Sequence, residues 1–161
     1  SESREKEEKL KEQEKEKRVE RRQLAKERIP IIAKSLSECK EGISTIEDII
    51  IELTESGKAN FCYSTSNDYD DVFHIGLGEA ICKADPMCIY CGLFEQGDKI
   101  RVIVYAGDEI SKEKSAGDIV KSISQILGGA GGGSAKFAQG GGTDKSKKED
   151  AIKNAKSMVN E

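Results

Sequence analysis

The residues with the most distinctive chemistry lie in Gly128–Gly142, GGAGGGSAKFAQGGG. Glycine loses more backbone entropy on folding than any other residue. A tract this rich in it needs a cause: backbone at φ > 0, or another backbone coming very close. Clustered glycines also leave N–H groups uncovered, and successive N–H groups can form anion nests. Gly131, Gly132, Gly133, Gly140 and Gly141 are the candidate donors, and Lys136, Lys145, Lys147 and Lys148 set positive charge beside them. That combination suits the phosphate backbone of a nucleic acid. Gln139 could tie the loop to itself or reach a base edge. Phe137 could stack on an unpaired base, although a core anchor for the loop is the expected role. A flexible linker is the plain alternative. The Lys-Phe-Ala-Gln insert, the absence of serine dilution and the helical patterns on both sides argue against it.

Other chemistry is sparse. No Gly-x-x-x-x-Gly-Lys-Ser/Thr string occurs, and the tract follows a helical pattern rather than a strand, so it is not a P-loop. Asp68, Asp70 and Asp71 could bind a cation, but at a helix start they read as caps. His74 is the only histidine and has no cysteine or serine nucleophile at a recognisable spacing, so a structural role is expected. Cys88 and Cys91 form a C-x-x-C, yet Met87–Phe94 reads as a strand, and residues three apart on a strand face opposite ways. The five cysteines are expected to be reduced, mostly buried thiols of a cytoplasmic protein. No catalytic residue, metal site or cofactor is expected within the chain.

The elements that hold these residues are legible in pattern. Residues 1–28 carry eleven basic and nine acidic side chains. Glu2/Lys6, Glu5/Lys9, Glu7/Lys11 and Glu14/Arg18 are acid-before-base pairs at i,i+4, which favours a solvated helix. From there Ile29, Ile32, Leu36, Cys39, Ile43, Ile46, Ile50 and Leu53 follow alternating steps of three and four, an a/d seam. Pro30 should kink or restart the helix. Gly42 followed by Ser44-Thr45-Ile46-Glu47 reads as a helix end and a new capping box. The expectation is helix, short loop, helix, with the seam as a homodimer interface. Packing of the seam on the chain's own globular part is the alternative.

Asn60–Ser64 then reads as a strand. Phe73, Leu77, Ala80, Ile81 and Ala84 mark a helix, closed by Asp85-Pro86. Met87–Phe94 and Lys99–Tyr105 form a hairpin about Gln96-Gly97-Asp98. Ile119, Val120, Ile123, Ile126 and Leu127 form a helix stripe that Gly128 stops. Ser146-Lys147-Lys148-Glu149 opens a last helix with Ile152, Ala155, Met158 and Val159 on one face. The order predicts an α+β chain: a helical subdomain over 1–57, then a β-α-β-β-α-α globular subdomain over 58–161 with a glycine-rich loop.

Charge supports the division. The net charge of −4 hides +2 over residues 1–28 and +2 over residues 128–161, six lysines against four acids, with −5 over residues 59–127. A nucleic-acid binder needs a basic face rather than a basic total, and only the two ends offer one. No run approaches the ~20 apolar residues of a membrane span, and no signal peptide is recognised. A chain beginning with Ser1 is expected to be a piece of a larger protein.

Gly131-Gly132-Gly133 followed by Phe137-Ala138-Gln139-Gly140-Gly141-Gly142 resembles the glycine signature of the C-terminal domain of alanyl-tRNA synthetases. The FAQGGG form is most similar to archaeal members. The same fold is appended to DHH phosphoesterases. The resemblance covers roughly residues 59–161 well and the helical part more loosely. It implies a domain that joins the catalytic and editing parts of the enzyme to tRNA(Ala), holds the outer corner of the tRNA and dimerises the enzyme. Its tRNA contacts would be Gly131, Gly132, Gly133, Lys136, Gln139, Gly140, Gly141 and Lys145. The parent would attach alanine with ATP and clear mischarged serine or glycine, so ATP, Mg and Zn are expected only there. An accessory domain of a DHH phosphoesterase and a pure dimerisation module are the two rival readings.

Overall fold

The computed structural model describes residues 2–37, 42–46, 49–56, 59–65 and 71–161, and for residues 35–37, 42–46 and 49–56 the backbone alone. In chain order the elements are α1 (Glu2–Ser37), β1 (Gly42–Ile46), β2 (Ile49–Ser56), β3 (Ala59–Thr65), α2 (Asp71–Ala84), β4 (Cys88–Gln96), β5 (Lys99–Ala106), α3 (Ala116–Ile126), β6 (Ala130–Gly133), β7 (Phe137–Gly142) and α4 (Lys148–Asn160). Short 3₁₀ turns precede α3 and α4. Among the described residues the strands form one sheet in the order β1-β2-β3-β4-β5-β7-β6. Pairing is antiparallel throughout except for β3 with β4, which are parallel and joined by α2. The chain is α+β with an N-terminal helix, as the pattern predicts.

Helices cover both faces. Ile89, Cys91 and Leu93 of β4 and Ile100, Val102 and Val104 of β5 form one core with Ile119, Val120 and Ile123 of α3 and Ala151, Ala155 and Val159 of α4. Cys88 and Tyr90 of β4 face the other way, into a core with Phe73, Leu77 and Ile81 of α2 and Ala25 and Ile32 of α1. Strand alternation therefore places Cys88 and Cys91 on opposite faces, and the C-x-x-C is not a pair. His74 is fully buried and structural in its contacts. Its Nδ1 lies 3.1 Å from Tyr90 Oη and 3.4 Å from Ser64 Oγ, the two hydroxyls are 2.5 Å apart, and its ring stacks on Phe94 at 4.7 Å.

The N-terminal half corrects the sequence reading. The helix runs through Pro30 without a break and ends at Ser37. Ile43 and Ile46 lie on β1, and Ile50 and Leu53 on β2, in a hairpin where Ile46 pairs with Ile49 and Leu53 with Gly42. Gly42 is thus no helix cap, and Ser44, Thr45 and Ile46 open no capping box. The isoleucines at steps of three and four mimic a helical seam. However, Ile43, Thr45, Ile46 and the triplet Ile49-Ile50-Ile51 are β-branched and fit a pleated strand better. Ile32 is fully buried and Ile29 half-buried against α2, so close that a Cβ on Gly76 would stand 2.6 Å from Ile29 Cδ1. This end of the seam packs on the chain's own core. Leu36 lies on α1, while Cys39, Gly57, Lys58, Asp68 and Asp70 lie outside the described residues.

Two smaller corrections follow. The glycine tract is a strand hairpin, β6–β7, rather than a loop. Ser146 is not a cap acceptor: it donates its N–H and its hydroxyl to Asp144 Oδ1, at 3.2 and 2.5 Å, and α4 has no side-chain cap.

The buried thiols make stability depend on pH. Burial pushes Cys91 from an ordinary value of 9.0 up to about 12 and also raises Cys62, while a hydrogen bond with Cys82, then burial, raises Cys88. Above pH 9 the unfolded chain gives up these protons and the folded chain keeps them. Stability is therefore fully present below pH 9 and falls as pH rises through that window, by up to ~1.4 kcal/mol per pH unit for each thiol. The urea midpoint should drop clearly between pH 8 and pH 10; an unchanged midpoint would contradict burial of these thiols.

Candidate nucleic-acid interface

The glycine hairpin is fixed to α3 along its whole length. Ser115 caps α3 by accepting from Asp118 N. The next free donors of that helix end, Ala116 N and Gly117 N, go to Ala135 O and Ser134 O at the hairpin tip, each at 2.9 Å. A helix start needs partners for its first N–H groups, and here the tip supplies them. Ser134 Oγ donates to Phe137 O and accepts from Phe137 N, both at 3.1 Å, which closes the tip. At the other end Gly128 takes φ +77 and turns the chain out of α3. Gly129 N then donates to Ser124 O at 2.8 Å, and Asp144 N to Leu127 O at 3.0 Å.

The two faces of the hairpin differ. Gly131 pairs with Gly140 across the ladder. A Cβ on Gly131 would stand 2.5 Å from Val120 Cγ1, 2.7 Å from Gly140 Cα and 2.8 Å from Ser124 Oγ. A Cβ on Gly140 would overlap Ser124 Oγ. Gly133 is similarly hemmed in by Ala138. Gly131 and Gly140 thus let α3 lie on the hairpin, while Gly133 lets the two strands of the hairpin close on each other. Gly132 faces the other way with Gln139, its register partner, and a Cβ there would meet Lys121 Cε only at 3.8 Å. Of the two causes for the tract, close approach explains most of it.

On the face shared with α2, the hairpin forms one wall of a groove of about 440 Å³, lined by Lys99 to Arg101, Gly128 to Ala130 and Gly140 to Thr143. Lys99 is exposed and Arg101 half-buried. Arg101 Nη2 donates to Gln139 Oε1 at 3.4 Å. Guanidinium carries five N–H donors in a fork that suits phosphate, so donors remain for an anion. The groove thus joins two cations and a wall with little side-chain bulk.

The expected contact residues divide accordingly. Gly141 lines the groove, and Gln139 and Gly132 share its face. Gly131, Gly133 and Gly140 face α3, and Gly140 lines the groove through its backbone. Lys136 sits at the hairpin tip with Asp108 at 3.0 Å. Lys145 lies at the opposite end, donating to Gly97 O at 2.9 Å, with Glu95 at 3.8 Å. Phe137 is half-buried and tilts against Tyr105 at 5.2 Å. Lys99 and Arg101 were not among the expected residues. Their signal was present, since Lys99, Arg101, Ile103 and Tyr105 alternate with an apolar set, but the sequence does not show which strand comes to lie beside them.

The DHHA1 domain family model matches residues 77–161. The chain belongs to the DHHA1 domain family. Alanine–tRNA ligase of Nitrosopumilus maritimus is 42% identical over 149 residues, 92% of this chain and 16% of that protein. Alanine–tRNA ligase of Cenarchaeum symbiosum is 43% identical over 91 residues, 56% of this chain and 10% of that protein. The chain therefore spans about a sixth of the first relative and a tenth of the second. The crystal structure of the C-Ala domain from Aquifex aeolicus alanyl-tRNA synthetase superposes with a TM-score of 0.65 at 24% identity, over 68% of this chain and 99% of that one. The fold is shared between this DHHA1 chain and that domain.

The two classes of glycine should separate in stability. Gly140→Ala should cost about 1–3 kcal/mol in urea unfolding, because the added methyl overpacks against Ser124. Gly132→Ala should stay within ~0.5 kcal/mol of the parent. Equal costs would mean that the hairpin does not sit on α3 as described.

Proposed function

We propose that this chain is the C-terminal tRNA-binding domain of an alanine–tRNA ligase, and that it grips tRNA(Ala) by the phosphate backbone. The observation that carries this reading is the 42% identity to an alanine–tRNA ligase along 92% of the chain. The groove supports it: Lys99 and Arg101 beside glycine backbone suit phosphates and offer little to read base sequence. In this reading the parent enzyme attaches alanine with ATP and edits mischarged tRNA elsewhere, and the present chain contributes grip without chemistry of its own. The parent acts in the cytoplasm. The same groove would serve an accessory domain of a DHH phosphoesterase, but the long match to ligases favours the synthetase.

The contact set is small, so affinity should be modest and salt-dependent. Each phosphate contact adds roughly 0.7–0.9 to the slope of log K against log salt. Fluorescence anisotropy with a tRNA(Ala) transcript should give a slope of about −2 to −4. Lys99→Gln with Arg101→Gln should flatten it by roughly 1.5–2, while Lys136→Gln should change it little, since Lys136 faces Asp108 at the tip. A double variant that binds like the parent would remove the groove from the account, and a parent chain without tRNA affinity would remove the function.

A further inference from the structure

A second basic cavity lies on the same side of the sheet, and the glycine tract does not account for it. One face of α1 packs on α2 through Ala25, Ile29 and Ile32. Followed toward the amino terminus at helical steps, that face becomes Arg22, Arg21, Arg18 and Lys17. The change from apolar to basic comes where α1 passes the start of α2. There the helix overhangs a cleft of about 600 Å³, with the four cations on one wall and Asp71, Val72 and Gln96 among the residues opposite. Glu14 also lines it, so among the described residues four cations stand against two carboxylates. Asp71 is partly engaged already, as its Oδ1 accepts from Val72 N at 2.9 Å.

The cleft is next to the groove. Gln96 lines the cleft, Lys99 lines the groove, and the two are register partners across the β4–β5 turn. Directly paired residues share a sheet face, and Arg101 follows Lys99 on that face. Lys17, Arg18, Arg21 and Arg22 therefore lie to one side of this turn, which itself carries Asp98, and Lys99 and Arg101 to the other.

We infer that the α1–α2 cleft is a second phosphate-backbone site, and that an RNA held in the glycine groove continues over the β4–β5 turn and under the overhang of α1. This rests on the RNA-binding reading above. An extended polyanion fits the arrangement better than a single small anion. The cations are spread along more than one helical turn, about 5.4 Å each, and the cleft opens toward a second basic groove.

The test uses the full chain, a tRNA(Ala) transcript and anisotropy titrations across a range of KCl. Arg18→Gln, Arg21→Gln and Arg22→Gln together should weaken binding about tenfold near 0.15 M salt and flatten the log–log slope by roughly 1.5–2.5. The Arg→Lys version of the same triple should restore most of both. The triple Gln variant should add its loss to that of the Lys99/Arg101 pair. A triple Gln variant that binds within twofold of the parent with the same slope overturns the inference, even while the groove pair still shows its own loss. A variant that loses thermal stability but keeps the parent slope overturns it too, because the arginines would then be an intrachain clamp. If the groove pair has no effect and the triple does, the groove reading fails and the cleft stands alone.

Discussion

Two glycine Cα atoms pressed against one helix set the geometry at this end of the molecule. Gly131 and Gly140 face each other across β6 and β7, and α3 lies on them through Val120 and Ser124. Neither position has room for a Cβ. With α3 that close, its first N–H groups reach the carbonyls of the hairpin tip, and its last turn receives Gly129 and Asp144. The hairpin is thereby held at both ends and along its middle. β7 can then add to β5, and β6 to β7, although strands so rich in glycine have little propensity of their own. Tertiary packing makes them strands.

That packing leaves the opposite face of the hairpin thinly covered. Gly132 and Gly141 put no side chain there beside Ala130, Phe137 and Gln139, so backbone forms part of the wall of a groove whose other residues include Lys99 and Arg101. One sequence feature thus does two jobs. On the α3 side, glycine permits close packing. On the α2 side, it permits close approach from outside. Placing the cations on β5 rather than on the glycine tract also keeps them on a rigid, centrally paired strand. The negative charge of residues 59–127 does not prevent this, because Lys99 and Arg101 are gathered on one face at one end of the sheet.

Much of the C-terminal fold is legible from pattern. β3, α2, β4, β5, α3 and α4 follow from runs, stripes and turn residues, and Gly97 at φ +61 sits in the two-residue hairpin that its type predicts. Two features are not legible, for different reasons. Residues 42–56 carry isoleucine at intervals that satisfy both a helical seam and a strand pair, and periodicity alone cannot choose between them. β6 and β7 lack any local strand signal, since their partner β5 is more than thirty residues away and the helix that holds them is defined by its own stripe. The candidate groove shares that difficulty. Its glycines stand out in the sequence, but Arg101 meets Gln139 only after β5 and β7 pair. The burial of Ile32 within the chain likewise depends on where α2 lies.

The division of the hairpin into a packed face and an open face can be tested residue by residue. Amide chemical-shift changes on adding a tRNA(Ala) transcript to the ¹⁵N-labelled chain would do so. The account predicts shifts or broadening at Lys99, Arg101, Gly128 to Ala130 and Gly140 to Thr143, with α4 largely unmoved. Changes centred on Lys147, Lys153 and Lys156 of the α4 side, with the groove residues silent, would contradict it.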